Sequence, residues 1–160
     1  MRIVIAAVGK ARAAPEDQLA ADYLDRAQKL GKQLGFAKIE LSVVETSRAS
    51  DPDARMAAEA QSLRAKMPKG AHVFALDERG KNQSSENFAQ ALARLRDAGR
   101  DIVFLIGGPD GLAGTLREGA NERLSFGSQT WPHLMARAML SEQIYRAMAI
   151  LARHPYHRGH

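Results

Sequence analysis

The sequence predicts an α/β protein with a mainly parallel sheet flanked by helices. Strand-like and helix-like segments alternate along the whole chain, as in successive β-α-β units. The segment Ile102–Ile106 is apolar at every position, which marks a strand covered on both faces. No internal repeat, low-complexity tract or linker interrupts the 160 residues. A chain of that length suits a single domain, 1–160, that buries roughly two-thirds of its unfolded surface.

Residues 2–8 read as the first strand. Pro15, Glu16 and Asp17 open a helix, with proline at the first position and acids in the first turn. Leu19, Tyr23, Leu24, Ala27 and Leu30 share one of its faces, and Gly31 and Gly35 end it. Residues 37–45 form a second strand, with Ile39, Leu41 and Val43 on alternate positions. Ser50, Asp51 and Pro52 start a helix that runs to about Lys66 and stops at Pro68 and Gly70. Residues 71–76 are the third strand, and 77–83 read as a polar loop. Ser84 caps a helix carrying Phe88, Ala91, Leu92 and Leu95 at helical spacing, closed by Gly99. The fourth strand is 102–106, a short helix spans 112–121, and 124–126 suits a short fifth strand. Pro132 opens the last helix, which runs to about Arg153 and leaves a tail, 154–160.

The chain has no cysteine. That excludes disulfides, thiolate metal sites and a cysteine nucleophile, and it fits a reducing, cytoplasmic location. The first apolar stretch, 1–8, is too short for a secretory signal. The most apolar helix, 134–152, carries Arg137, Glu142 and Arg146, which argues against lipid. The net charge of +5 is compatible with an anionic partner such as RNA. Its distribution is more informative. From Pro132 to His160 stand Arg137, Arg146, Arg153 and Arg158 against Glu142 alone, together with His133, His154, His157 and His160.

Two loops are candidate ligand sites. The first is Gly107-Gly108-Pro109-Asp110-Gly111, directly after the fourth strand. Ligands of open α/β sheets bind at the carboxyl ends of strands, and glycines let the backbone approach closely. A plain strand-to-helix turn would use the same residues. The loop matches neither G-x-G-x-x-G nor G-x-x-x-x-G-K-[ST], so phosphoryl transfer has no support. The second loop, Gly127-Ser128-Gln129-Thr130-Trp131-Pro132, could hold an adenine-like ring between backbone groups and apolar atoms. Alternatively it is a helix start with Trp131 stapled into the core.

The last helix is apolar on most sides, so it must be covered on most sides, and a subunit interface would do that. Glu142 and Arg146 stand four apart, as in a helical ion pair; a functional carboxylate is the alternative. His154, His157 and His160 have no accompanying carboxylate, which disfavours a metal. Tyr156, the histidines and Arg158 suit RNA better, through stacking and phosphate pairing. No Ser-His-Asp triad or glycosidase-like pair of acids is suggested by the spacing.

Taken in order, several segments resemble one family. These are Leu105-Ile106-Gly107-Gly108-Pro109-Asp110-Gly111, Trp131-Pro132-His133, Glu142-Gln143-Ile144-Tyr145-Arg146-Ala147 and His154-Pro155-Tyr156-His157-Arg158. Ile5-Ala6-Ala7-Val8-Gly9-Lys10 fits as well, as does Ala75-Leu76-Asp77 before Gly80-Lys81. The chain resembles, over nearly its whole length, the large-subunit ribosomal RNA methyltransferase H family of the SPOUT superfamily. The resemblance implies a trefoil knot near the carboxyl end, a homodimer, and S-adenosylmethionine as methyl donor. It implies donor-binding positions at Leu76, Gly108, Gly127, Ser128, Gln129, Thr130, Trp131 and Pro132. The implied reaction is methylation of N3 of a pseudouridine in 23S rRNA of the assembled 70S ribosome. The tail of one subunit would reach the cofactor pocket of the other. On that basis His157 is the candidate base, Arg158 the anion stabiliser and Tyr156 a stacking or hydrogen-bonding group, with Glu142 orienting the tail or the substrate. The chain departs from the pattern in its Gly159-His160 extension and in Trp131, where a smaller apolar residue is common. A non-catalytic RNA- or ribosome-binding module on the same fold is the alternative reading; a dinucleotide oxidoreductase lacks its fingerprint.

Overall fold

A computed structural model describes residues 1–10 and 13–158. The strands are β1 (Arg2–Val8), β2 (Lys38–Val44), β3 (His72–Lys81), β4 (Ile102–Ile106) and β5 (Glu122–Leu124). The helices are α1 (Pro15–Gln33), α2 (Pro52–Arg64), α3 (Ser85–Asp97), α4 (Gly114–Gly119) and α5 (His133–Leu151), followed by a 3-10 turn at Pro155–His157. All strand pairs are parallel, in the order β2-β1-β4-β3-β5.

The two-residue period of the strands divides the core. Ile3, Ile5 and Ala7 of β1 join Ile102, Phe104 and Ile106 of β4 in a cluster with residues of α1, α3 and α5. Val4, Ala6 and Val8 join Val103 and Leu105 on the opposite face, with Ala60 and Leu63 of α2 and Leu116 of α4. β4 is buried along its whole length, as its unbroken apolar run requires. The caps agree with the sequence: Asp51 accepts the Ala54 N–H at 2.9 Å, and Ser84 accepts that of Asn87 at 3.1 Å.

Two expectations are corrected. The polar stretch after Leu76 is not a free loop. β3 continues to Lys81 through an irregularity in which Leu124 of β5 pairs with both Leu76 and Lys81. Backbone pairing, which side-chain polarity does not reveal, holds it there. The fifth strand is 122–124 rather than 124–126. Ser125 ends it, since its Oγ lies between the carbonyls of Glu78 (3.1 Å) and Gly127 (2.8 Å) and accepts the Gly127 N–H at 3.0 Å. As expected for an apolar helix, α5 is covered on most sides, here by its own chain. It packs against α1 and α3, and Leu140, Ile144 and Met148 are fully buried. Met135 stays 37% exposed.

Candidate functional site

The two flagged loops close over one cavity at the carboxyl ends of β3 and β4. Its volume is about 490 Å³, within the usual range for small-molecule sites. Leu76, Gly108, Gly127, Gln129, Thr130, Trp131 and Pro132 all line it. Ser128, the remaining predicted position, is exposed and does not line it. The segment turns at Gly127, whose φ of +111° is open to glycine and strained for other residues.

The glycine loop is both a tight turn and a cavity wall. The Gly111 N–H donates to the Gly108 carbonyl at 2.9 Å. A Cβ on Gly107 would lie 2.4 Å from the Gly111 carbonyl carbon, so only glycine lets the two strands of the turn approach this closely. Arg55 of α2 anchors the turn from outside: its Nε donates to Asp110 Oδ2 at 2.9 Å and its Nη2 to Oδ1 at 3.2 Å. This hydrogen-bonded guanidinium holds the Asp110 carboxyl below its ordinary range.

Trp131 is not stapled into the core. It is 39% exposed, lines the cavity, and donates its Nε1–H to the Phe126 carbonyl at 3.4 Å. The opposite wall comes from the irregular part of β3. Glu78 Oε2 accepts the Thr130 hydroxyl at 2.9 Å, a clasp between the two sides. Asp77 also lines the cavity; its Oδ1 accepts the Arg79 N–H at 3.1 Å, while its buried Oδ2 has no hydrogen-bond partner.

Sequence reasoning missed Arg137. This guanidinium is fully buried. Its Nη2 donates to the carbonyls of Val8 (3.2 Å) and Gly9 (3.0 Å), and its Nη1 to Asp17 Oδ1 at 3.3 Å. Burial pushes it below its usual range, against the pull of Asp17. The arrangement fixes the end of β1 beside His133, a cavity residue. An arginine among apolar helical residues is the only signal the sequence offers, and it does not name the partners.

The predicted tail residues do not line this cavity. The structure gathers them into a separate network on α5 and α3. Glu142 Oε1 accepts from Arg146 Nη2 at 2.6 Å, Arg146 Nε at 2.9 Å and the Tyr156 hydroxyl at 3.0 Å. The expected Glu142–Arg146 ion pair is therefore also the anchor of the tail. Burial, with hydrogen bonds to Tyr23 and Glu142, pushes the Tyr156 phenol far above its ordinary range, so it remains a neutral donor. The Arg146 guanidinium lies 4.9 Å from the centre of the Tyr156 ring. His157 sits between Arg146 Nη1 (3.3 Å from Nδ1) and Glu86 Oε1 (2.7 Å from Nε2). Arg158 is exposed, and its N–H donates to the Pro155 carbonyl at 2.9 Å. Gly159 and His160 lie outside the described residues. Among the described residues no cluster of histidine and carboxylate side chains could hold a metal, and no helix is long and apolar enough to cross a membrane.

A second, more apolar cavity of about 450 Å³ adjoins the network. Leu124 and Phe126 line both cavities, and Glu142 and Gln143 lie on the wall of the second.

A parallel sheet with a glycine-loop cavity at its carboxyl edge is where open α/β proteins bind small ligands. A family model described as a predicted SPOUT methyltransferase matches residues 1–157, and the chain belongs to that family of methyl-transferring enzymes. A crystal structure of a probable methyltransferase from Bordetella pertussis Tohama I shares the fold, with a TM-score of 0.51 at 14% identity over 91% of this chain and 95% of that one. Within the family the chain falls among proteins named ribosomal RNA large subunit methyltransferase H. It is 51% identical to that of Paracoccus denitrificans (strain Pd 1222) over 99% of both chains. It is 47% identical to that of Bradyrhizobium diazoefficiens over 99% of this chain and 100% of the relative.

Proposed function

We propose that this protein transfers a methyl group from S-adenosylmethionine to N3 of a pseudouridine in 23S rRNA of the assembled 70S ribosome. It works as a cytoplasmic homodimer, with the tail of one subunit facing the donor cavity of the other. The knotted path implied by the sequence resemblance belongs to the same reading. The observation that carries it is the convergence of both candidate loops, Gly107–Gly111 and Gly127–Pro132, on one cavity. The whole-length likeness to the methyltransferase H proteins supports the choice of RNA.

The cavity fits the proposed donor. Its apolar wall of Leu76, Leu112 and Trp131 suits an aromatic base. The backbone of the glycine loop can approach the ligand, and Asp77 Oδ2, which makes no hydrogen bond and only a 4.0 Å ion pair with Arg123, offers an acceptor for hydroxyl or ammonium donors. Leu76, Gly108, Gly127 and Gln129 to Pro132 would hold the donor; Ser128 would act through the loop's conformation. When bound, S-adenosylmethionine supplies an electrophilic methyl whose sulfonium departs as a neutral thioether. The protein's own task is to position two groups and manage one proton. N3 is an imide nitrogen and becomes nucleophilic as its proton leaves. His157 is assigned that proton, at Nδ1, once the RNA draws Arg146 aside. Arg158 stabilises the anion, Tyr156 stacks or hydrogen-bonds, and Glu142 holds the tail.

Mass mapping of ribosomal RNA from cells with and without the protein tests the substrate: one methyl on a pseudouridine should vanish. Deleting residues 154–160 should abolish methylation while leaving donor affinity, read by calorimetry, near the intact value. Full turnover by the truncated chain would refute the assignment of the tail, and absence of donor binding by the intact chain would favour a non-catalytic RNA-binding module.

A further inference from the structure

The polar contacts of the tail form a closed circuit. Ser85 Oγ donates to Gln143 Oε1 at 2.7 Å, and Gln143 Nε2 donates to Glu142 Oε2 at 2.8 Å. Glu142 holds Arg146, Arg146 Nη1 meets His157 Nδ1, and His157 Nε2 meets Glu86 Oε1. Glu86 follows Ser85 in the chain, so the circuit returns to the first turn of α3, which Ser84 caps. Gln143, Glu142, Arg146 and His157 are each held from both directions.

One tautomer satisfies both contacts of His157. A guanidinium can only donate, so Nδ1 must be the acceptor and Nε2 must carry the hydrogen, which it gives to Glu86. In the free protein Arg146 sets the same tautomer from the Nδ1 side; once Arg146 is drawn aside, as the proposed reaction requires, Glu86 alone holds the ring and its tautomer. Without Glu86 the basic lone pair would then no longer point from a fixed place.

We propose that Glu86, on the first turn of α3, is a positioning residue for His157: it fixes the ring orientation and the Nε2-protonated tautomer, leaving Nδ1 as the proton-accepting atom. This rests on the proposed role of the tail in methylation. Glu86 touches neither substrate nor donor in that reading and acts only through His157. Its contact with His157 is exposed, at 60% for the Glu86 side chain and 31% for that of His157, so its contribution to global stability is small. Orientation, rather than stability, is what it supplies.

The test uses the full-length protein, S-adenosylmethionine carrying a labelled methyl, and ribosomes from cells lacking this protein. Glu86→Ala should lower kcat by about tenfold, a part of the roughly 10²–10⁴-fold that a positioned base contributes, with KM for the ribosome and the melting temperature little changed. Glu86→Gln keeps an acceptor oxygen and should recover most of that loss. In ¹⁵N spectra of an Arg146→Ala background, which removes the donor to Nδ1, the neutral His157 ring should be Nε2-protonated with Glu86 intact or with Glu86→Gln, but a mixture of tautomers with Glu86→Ala. A parallel His157→Ala variant separates the two claims. If it is inactive while Glu86→Ala keeps wild-type kcat and, in the Arg146→Ala background, the Nε2-protonated tautomer, the role of Glu86 is overturned and that of the tail stands. If His157→Ala retains full activity, the role of His157 falls, and this inference falls with it.

Discussion

Replacing Gly107 with alanine tests the cavity most directly. The new Cβ would lie 2.4 Å from the Gly111 carbonyl carbon, 2.6 Å from the Leu112 nitrogen and 2.7 Å from the Gly111 oxygen. Ordinary contact begins near 3.4 Å, so the closest approach is a full ångström too short. All three neighbours are backbone, and no side-chain rotation relieves them. The turn must open by about that distance, at a stability cost of roughly 1–3 kcal/mol. Because the turn walls the proposed donor site, opening it should weaken donor binding by roughly the 1–3 kcal/mol that one lost polar contact costs, or about 5- to 140-fold at 1.4 kcal/mol per decade. Isothermal titration with S-adenosylmethionine measures it. Gly119→Ala is the control: nothing lies within 4 Å of its added Cβ, and its affinity should match the wild type. Wild-type affinity in Gly107→Ala would show that the turn does not shape the site.

Three further outcomes follow from the same geometry. Asp110→Asn should lower the melting temperature at neutral pH; because Arg55 depresses the native Asp110 pKa, its stabilisation is present above the ordinary carboxylate value of 3.8 and fades as pH falls below it. The gap between the two melting curves should therefore close in acid, and a gap independent of pH would contradict the pairing. Arg137→Met should cost roughly 3–5 kcal/mol in urea unfolding, as it strips donors from the Val8 and Gly9 carbonyls and leaves Asp17 without its buried partner; a loss below 1 kcal/mol would show that those groups find other partners. Leu140→Ala, at a fully buried site between sheet and helices, should cost about 2–5 kcal/mol in the same assay, and a smaller loss would mean that the core collapses around the gap.

Much of the architecture was legible because it depends on neighbours in sequence. The unbroken apolar run of 102–106 marked a strand covered on both faces, and Asp51 and Ser84 marked helix starts through contacts three residues away. The errors arose where partners are remote. Residues 77–81 look like a loop because their side chains are polar, yet their strand assignment depends on backbone pairing with β5. Trp131 looks like a core residue by size, yet the loop turns it toward a cavity. Arg55, Glu78, Glu86 and Arg137 carried no local signal, since each acts on a group at least 52 positions away.

The sequence by itself determined the parallel α/β class, most helix starts and the two loops that line the cavity, because periodicity, capping and glycine content are local properties of the chain. Only the tertiary structure decided that those loops share one cavity, that Asp77 and Glu78 face them, and that Glu142, Arg146, Tyr156 and His157 close a circuit with Glu86. Such contacts come from packing helices on a sheet. A side chain's hydrogen-bond partner is then set by where distant backbone segments meet, which no window of the sequence contains.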